Sequence, residues 1–444
     1  MTGAEQLVDF ALSFDPASLP EEVDRLARLH FLDAIGVGLA ASAGPDQAGW
    51  TRATSGPGKA TTLNGGSATP PEAAMLNGAL IHSLEYDDTH IGSVIHGSAV
   101  AAPLALAAIE QAGGNAGDVI SAYVLAWEAM IRIGATAPGA FQARGAQVTA
   151  VAGAIGAALG AGCVAGLDRK GLTSAIGIAG MQASGLLAFL EDGSSVKALN
   201  PGWAAHTGLT AVRLAAAGMT GPSGILEHRF GPLTVFGADP DQLAPQLSDL
   251  GEAWHLRDAA FKLYPCCHYI HPFLELVEDL ARQGLTAETV ESMAIHVPVE
   301  EAPLIADPWS RRQAPASGYD GKWGLPYCLA LRLVDGALDV SSFEAEPRDD
   351  VIALARRMRM IPVEGSGFPA RFPARIEVTL TDGAKRDVSV ETVRGAPGRA
   401  IAEDEVLAKF RANAGRRFGS EHVDKLISAG LAMDVAALAQ CLRT

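Results

Sequence analysis

Gly145-Ala-Gln-Val-Thr-Ala-Val-Ala-Gly-Ala-Ile-Gly-Ala-Ala-Leu-Gly-Ala-Gly-Cys-Val-Ala-Gly-Leu167 runs for 23 residues without a charged side chain. A bilayer asks for about 20 apolar residues in a helix, so length alone would permit a membrane span. Composition decides against it. Alanine and glycine dominate the run and carry little transfer energy, whereas small residues are what let buried helices approach closely. The stretch therefore predicts a core helix of a helical domain. Helical candidates of the same texture are 71–84, 99–113, 117–133, 148–165 within the run itself, 170–188 and 203–218, with Gly, Pro or Asp at their joints. Pro20 suits the first helical position of an earlier helix whose apolar face is Val23, Leu26, Phe31 and Ile35. Up to about residue 255 there is almost no β-branched alternation, which predicts an all-helical part.

The texture changes after residue 258. Val290 to Val299 alternates like a strand, and Arg375–Leu380 and Arg386–Val393 flank an Asp382-Gly383 turn. Helical patterns at 270–283, 323–334 and 348–358 lie among them, and 401–443 returns to helix. The expected architecture is mainly α: a large helical domain over 1–257, completed by 397–444, and a smaller α+β lid domain over 258–396. A chain of 444 residues exceeds the usual size of one core, which favours two domains.

Net charge narrows the partners. At −16 the chain lacks the clustered Lys and Arg that nucleic acid or an anionic membrane would require, and an anionic small ligand would need a few cations focused in one cleft. The cysteines Cys163, Cys266, Cys267, Cys328 and Cys441 are odd in number and irregular in spacing, which suits a reducing cytoplasm; no C-x2-C pair is present to hold an iron-sulfur cluster. The stretch Met1-Thr-Gly-Ala-Glu-Gln lacks the basic and apolar regions of a signal peptide.

Four motifs invite a functional reading. Gly36-Val-Gly38-Leu-Ala-Ala41 spells part of a dinucleotide fingerprint, but it follows a helical pattern rather than a strand and is read as helix packing. Residues 82–98 gather His82, Glu85, Asp87, Asp88, Thr89, His90 and His96 between apolar helices. Buried without partners, such groups would cost roughly 1–3 kcal/mol each, so they pair with one another or face a cavity. A metal site, a structural network and a catalytic loop with a histidine handling a proton are the three readings, with the last favoured. Glu191-Asp-Gly-Ser-Ser-Val-Lys197 offers backbone and hydroxyl donors, Ser195 among them, beside a cation that suits a carboxylate. Phe261 to His271 is dense in Lys, Tyr, Cys and His near the expected domain junction.

Taken in order, these segments resemble the MmgE/PrpD family, which includes 2-methylcitrate dehydratase, cis-aconitate decarboxylase and iminodisuccinate epimerase. The resemblance rests on Leu29-His-Phe-Leu-Asp33-Ala-Ile-Gly36, Asn77-Gly78 with the Asp-Asp-Thr-His island, Lys197 before Ala204-Ala205, Lys262-x-Tyr-Pro-Cys-Cys, and Trp323-Gly-Leu-Pro-Tyr327. It implies a homodimer without metal or organic cofactor, acting on small di- or tricarboxylic acids. It places the active site between the domains, with Glu85, Thr89, His96, Lys197, Lys262 and Tyr327 in the catalytic set. His90, Gln147, Ser195, Cys267 and His271 are the expected substrate-binding residues. The resemblance also shows departures. Gln147 and Cys267 stand where cis-aconitate decarboxylase carries histidine, and Glu85 replaces the usual Asp.

The expected chemistry is metal-free proton transfer at a carbon next to a carboxylate, with Lys197 and Lys262 holding substrate carboxylates and the developing enolate-like charge. His96 is the expected general base or acid and Tyr327 a second proton carrier, with Glu85 and Thr89 orienting histidine and substrate. Elimination of water from a hydroxy-polycarboxylate leads. Epimerisation, decarboxylation and a non-catalytic carboxylate-binding role are the alternatives.

Overall fold

The computed structural model describes residues 1–44, 47–54, 57–191, 194–367 and 371–443. Contacts divide the chain into two units, one of Met1–Ser83, Asp87–Phe261 and Ala402–Thr444, the other of Leu84–Tyr86 and Lys262–Ile401.

In the first unit the charge-free run forms the helix Val148–Val164, and every residue from Val148 to Gly162 is buried. A helix apolar on all sides belongs in a core, and this one packs against Ala116–Ala135, Leu199–Ala216, Ser98–Ala112 and Arg169–Met181. Small residues set the spacing. A Cβ at Gly160 would lie 2.4 Å from the Ala122 carbonyl oxygen, and one at Gly202 would lie 2.1 Å from that of Met75. No helix among the described residues is long and apolar enough to cross a membrane.

The helix Glu21–Ser42 opens with Glu21, Glu22 and Asp24 at its positive end, where carboxylates are stabilised. Pro20 is its cap rather than its first helical residue, with extended ψ of 137° and a carbonyl that accepts from Val23 and Asp24. Gly36 and Gly38 lie inside this helix. Gly36 leaves room for the Phe410 ring of Glu403–Ala414, so the glycine pattern serves packing. Lys409 of that same late helix reaches Asp33 at 2.8 Å, both side chains buried.

The helix expected over 170–188 ends at Met181. Gly185 takes φ 110° and the chain bridges Leu186 to Ala146, leaving the helical path although the apolar pattern continues. The short amino-terminal helix Gly3–Ser13, closed by a Thr2/Glu5 capping box, was not foreseen.

The second unit is built on a four-stranded sheet in the order Met358–Val363, Val290–Pro298, Ala374–Leu380, Lys385–Val390. The first pair is parallel and the others antiparallel, with Ile295 opposite both Met360 and Ile376. The helices His271–Arg282 and Leu325–Asp335 pack on each other, and the first also packs on the sheet. The pattern read as one helix over 348–358 resolves into the helix Asp349–Ala355 and the start of the strand Met358–Val363. That strand lies at the sheet edge, where Pro362 costs no ladder bond.

Candidate active site

The 82–98 island divides between the units, Glu85 with the second and the rest named here with the first. In the first unit His82 ends the helix Pro70–Ser83, Thr89–His90 pairs with Ala259–Ala260, and the helix Ser98–Ala112 starts just after His96. Val94 sits between them at φ 57°. For a β-branched residue this left-handed conformation stores roughly 1–3 kcal/mol, a cost usually found where a loop must aim a side chain.

Asp87 is the hub. His82 Nδ1–H donates to its Oδ2 at 2.8 Å, and His96 Nδ1 lies 3.3 Å from the same oxygen. Burial pushes the Asp87 carboxyl up, but His82 and His96 outweigh it and hold it well below the usual carboxylate range. The side chains of His82 and Asp87 are fully buried while His96 is 13% exposed, so His96 is the member of this array that an incoming molecule can meet. On the far side Gln147 Nε2 lies 3.3 Å from His82 Nε2, and Asn200 Nδ2–H donates to Gln147 Oε1 at 2.6 Å. Thr149 Oγ1 accepts from the His96 backbone at 3.1 Å.

Asp88 is structural. It accepts from His30 Nδ1–H at 2.8 Å, from the Ser98 backbone at 3.1 Å and from the Ser98 hydroxyl, which itself meets Tyr123. The His30 ring stacks on Phe261 at 3.7 Å. His90 Nδ1 accepts from the Ser93 backbone at 3.2 Å, and burial with the nearby His255 lowers its pKa to about 3. A neutral, locally engaged imidazole of this kind is not a proton carrier at neutral pH. Thr89 is buried, and its hydroxyl has no hydrogen-bond partner among the described residues. Ser195 and Lys197 lie on the turn Ser195–Ala198, which packs on the helices Pro70–Ser83 and Leu199–Ala216. Asp192 and Gly193 of that motif lie outside the described residues.

Among the described residues two groups offer metal-ligand atoms within 4.8 Å of one another, His82/Asp87/His96 and His90/His255/Asp258. A tetrahedral ion would hold a nitrogen and an oxygen ligand about 3.3 Å apart. The 2.8 Å between His82 and Asp87 fits a shared proton instead. In the second group the Ser93 backbone N–H occupies His90 Nδ1.

In the second unit Glu85 adopts φ 55°, and Lys262 Nζ donates to its carbonyl at 3.1 Å and lies 3.7 Å from its carboxylate. Lys322 donates to the Leu84 and Pro265 carbonyls at 2.7 and 3.1 Å; burial lowers its pKa to about 8, against the opposing charge of Glu85. Cys267 follows on the same framework, its backbone N–H donating to Lys322 O at 2.9 Å and its thiol pushed up to about 12 by burial. His271 Nε2–H donates to the Cys266 carbonyl at 3.3 Å. Tyr327 is buried beside a recess of about 340 Å³ that also takes in Asp335, Asp339, Glu346 and Arg348. That largely acidic lining suits a carboxylate poorly. Burial, and after it the charge of Glu85, raises the pKa of Tyr319.

The expected catalytic and binding sets leave out Asp87 and His82, and sequence reasoning does not reach Asn200, Lys322 or Tyr319. Asn200 stood in view within Asn200-Pro-Gly-Trp203, and Lys322 directly precedes the Trp323 motif. Neither has a partner nearby in sequence that would reveal its role.

Comparison with known proteins identifies the family of the chain. Residues 5–243 match the MmgE/PrpD N-terminal domain and residues 264–434 the MmgE/PrpD C-terminal domain. A cis-aconitate decarboxylase of Aspergillus terreus is 28% identical, over 97% of this chain and 92% of its own length. The cis-aconitate decarboxylases of Mus musculus and Homo sapiens are each 26% identical over 81% of this chain and 75% of theirs. These matches support a lyase-type activity at the level of the family. By both domains, over most of its length, the chain belongs to the MmgE/PrpD family.

Proposed function

We propose that this chain is a lyase of small di- or tricarboxylic acids that works by moving a proton at a carbon next to a carboxylate, with His96 as the proton carrier. The observation that carries the reading is the buried His82–Asp87–His96 array, in which the imidazole with solvent access is backed by an ionised carboxylate. Such a pair supports general acid-base catalysis. Lys197 and Lys262 are assigned to the substrate carboxylates and the enolate-like charge, Thr89 to orienting the substrate and Glu85 to holding Lys262. Neither a metal nor an organic cofactor takes part in this scheme.

The leading reaction is elimination of water. His96 takes the proton from carbon, the C–O bond on the neighbouring carbon breaks, and the departing hydroxide leaves with that proton as water. One carrier on one face suffices, which fits an amide at Gln147. Loss of CO2 is the second reading, because the curated relatives are decarboxylases. Epimerisation needs carriers on two faces, and Gln147 cannot be one.

A homodimer fits the exposed apolar side chains Met181, Leu186, Leu190, Phe230 and Val235, which a second copy would cover. Cys163, Cys266, Cys267 and Cys328, which form no disulfide among the described residues, fit a cytoplasmic setting. The test is incubation in D2O with citrate, methylcitrate, cis-aconitate and iminodisuccinate, followed by NMR. Alkene formation supports the leading reaction, CO2 loss the second, and exchange with inversion epimerisation. Binding without any turnover would overturn the enzymatic reading.

A further inference from the structure

Two buried ammoniums of the second unit share one carboxylate. Lys262 Nζ donates to the Glu85 carbonyl at 3.1 Å and Lys322 Nζ to the Leu84 carbonyl at 2.7 Å, so the two cations grip successive peptide groups of one short segment. Lys262 is 1% exposed and Lys322 4%. Glu85, itself buried, lies 3.7 Å from Lys262, and no other carboxylate among the described residues comes within 4 Å of either lysine. The other groups that hold Lys322 are neutral: the Pro265 carbonyl accepts from it at 3.1 Å, and the Phe343 ring centre is 4.9 Å from its ammonium. The titratable groups whose charge reaches Lys322 from the segments packed against it are Glu85, Cys266, Cys328 and Lys262. Burial pushes the Cys266 thiol up, so it supplies no negative charge at neutral pH. Two cations against one anion leave the cluster one positive charge in excess. Carbonyls and a ring satisfy the donors of an ammonium without cancelling its charge, and a charge kept from water is screened little.

We propose that Lys322 is a positioning residue that, without touching the substrate, fixes the peptide before Glu85, draws on its carboxylate and so leaves Lys262 incompletely neutralised for an anion, coupling carboxylate binding to the proton on Lys322. The inference deepens the proposed function and rests on its carboxylate substrate. In the free protein burial lowers the Lys322 pKa to about 8, against the pull of Glu85. The protonated lysine favours the anion and the anion favours the protonated lysine, so affinity is full below that pH and is lost above it.

The test is isothermal titration calorimetry of the intact protein with citrate and with cis-aconitate at about pH 7.5, 8.5 and 9.5, in buffers of different ionisation enthalpy. A bound anion that raises the proton affinity of Lys322 about tenfold makes binding about sixfold weaker at about pH 9.5 than at about pH 7.5, with about half a proton taken up at about pH 8.5. Lys322→Met should bind about eightfold more weakly than wild type at about pH 7.5 and change less than about twofold across the range, a loss of pH dependence that a purely structural lysine would not produce. Wild-type affinity that is flat with pH, wild-type binding without proton uptake, or a Lys322→Met protein that binds as wild type does overturns the proposal. So does a pH dependence that persists in the variant. If Lys322→Met does not fold, the wild-type proton uptake decides. Each of these failures leaves the proposed reaction standing, whereas no binding by any acid of the carboxylate panel removes the reaction and the inference together.

Discussion

Replacing Lys409 by Met should destabilise the protein in a way that depends on pH with a sign the structure dictates. Lys409 and Asp33 are 376 positions apart, touch at 2.8 to 2.9 Å and are both buried. Burial raises the Asp33 pKa against the pull of Lys409, and burial lowers that of Lys409 against the pull of Asp33, so desolvation outweighs pairing on both sides. Removing one partner of such a pair typically costs about 3–5 kcal/mol, because the other charge is left orphaned. The orphan can always escape by taking up a proton, and that sets a ceiling. With an unfolded pKa of about 3.9 and 1.36 kcal/mol per unit, the ceiling is about 4.9 kcal/mol at about pH 7.5 and about 2.2 at about pH 5.5. The folded pKa of the orphan lies above the unfolded one, so its contribution is fully present below the unfolded pKa and is lost as pH rises towards the folded value. Urea unfolding of wild type and Lys409→Met at both pH values is the assay. The deficit should shrink by up to about 2.7 kcal/mol on acidification, and Asp33→Leu with Lys409→Met should recover most of the stability. A deficit that is equal at both pH values, or under about 1 kcal/mol at the higher one, would refute the reasoning.

Three further perturbations probe other parts of the account. Glu301 is fully buried, both its oxygens lack partners among the described residues, and burial with the adjacent Glu300 raises its pKa to about 9. Its stabilising protonated form is lost as pH climbs from the unfolded value of about 4.3 towards that figure, so Glu301→Gln should gain up to a few kcal/mol over wild type at about pH 8 and little at about pH 4.5. A pH-independent difference in melting temperature would contradict this. Lys197→Met should lower kcat/KM for the carboxylate substrate about 10- to 100-fold, from the loss of a charged hydrogen bond of about 1.5–3 kcal/mol. An unchanged kcat/KM would remove Lys197 from the site. Gly202→Ala places a Cβ 2.1 Å from the Met75 carbonyl oxygen, and overpacking of this kind costs about 1–3 kcal/mol. A melting temperature equal to wild type would show that the two helices do not cross so closely.

Much of the helical unit could be read directly, because its signal is local. Alanine and glycine at buried positions, with Gly, Pro or Asp at the joints, mark Ser98–Ala112, Ala116–Ala135 and Val148–Val164 to within about two residues. The edge strand Met358–Val363 escaped because its side chains are mostly only part-buried, so no clean alternation survives. The site was legible as a list of residue types but not as a circuit. Two adjacent aspartates with the same chemistry have opposite duties. Asp87 backs His96, while Asp88 secures the start of a helix and His30, 58 positions away. Only the fold decides which partners each one meets, and the same holds for Gln147, whose significance depends on His82 and Asn200.

The most direct test of the central claim is solvent deuterium incorporation into a substrate found by the carboxylate panel, compared between wild type and His96→Ala. Acid-base groups contribute about 10²- to 10⁴-fold, so exchange at the carbon next to the carboxylate should slow by at least the lower factor while the substrate still binds. Exchange within about threefold of wild type would remove His96 from proton transfer.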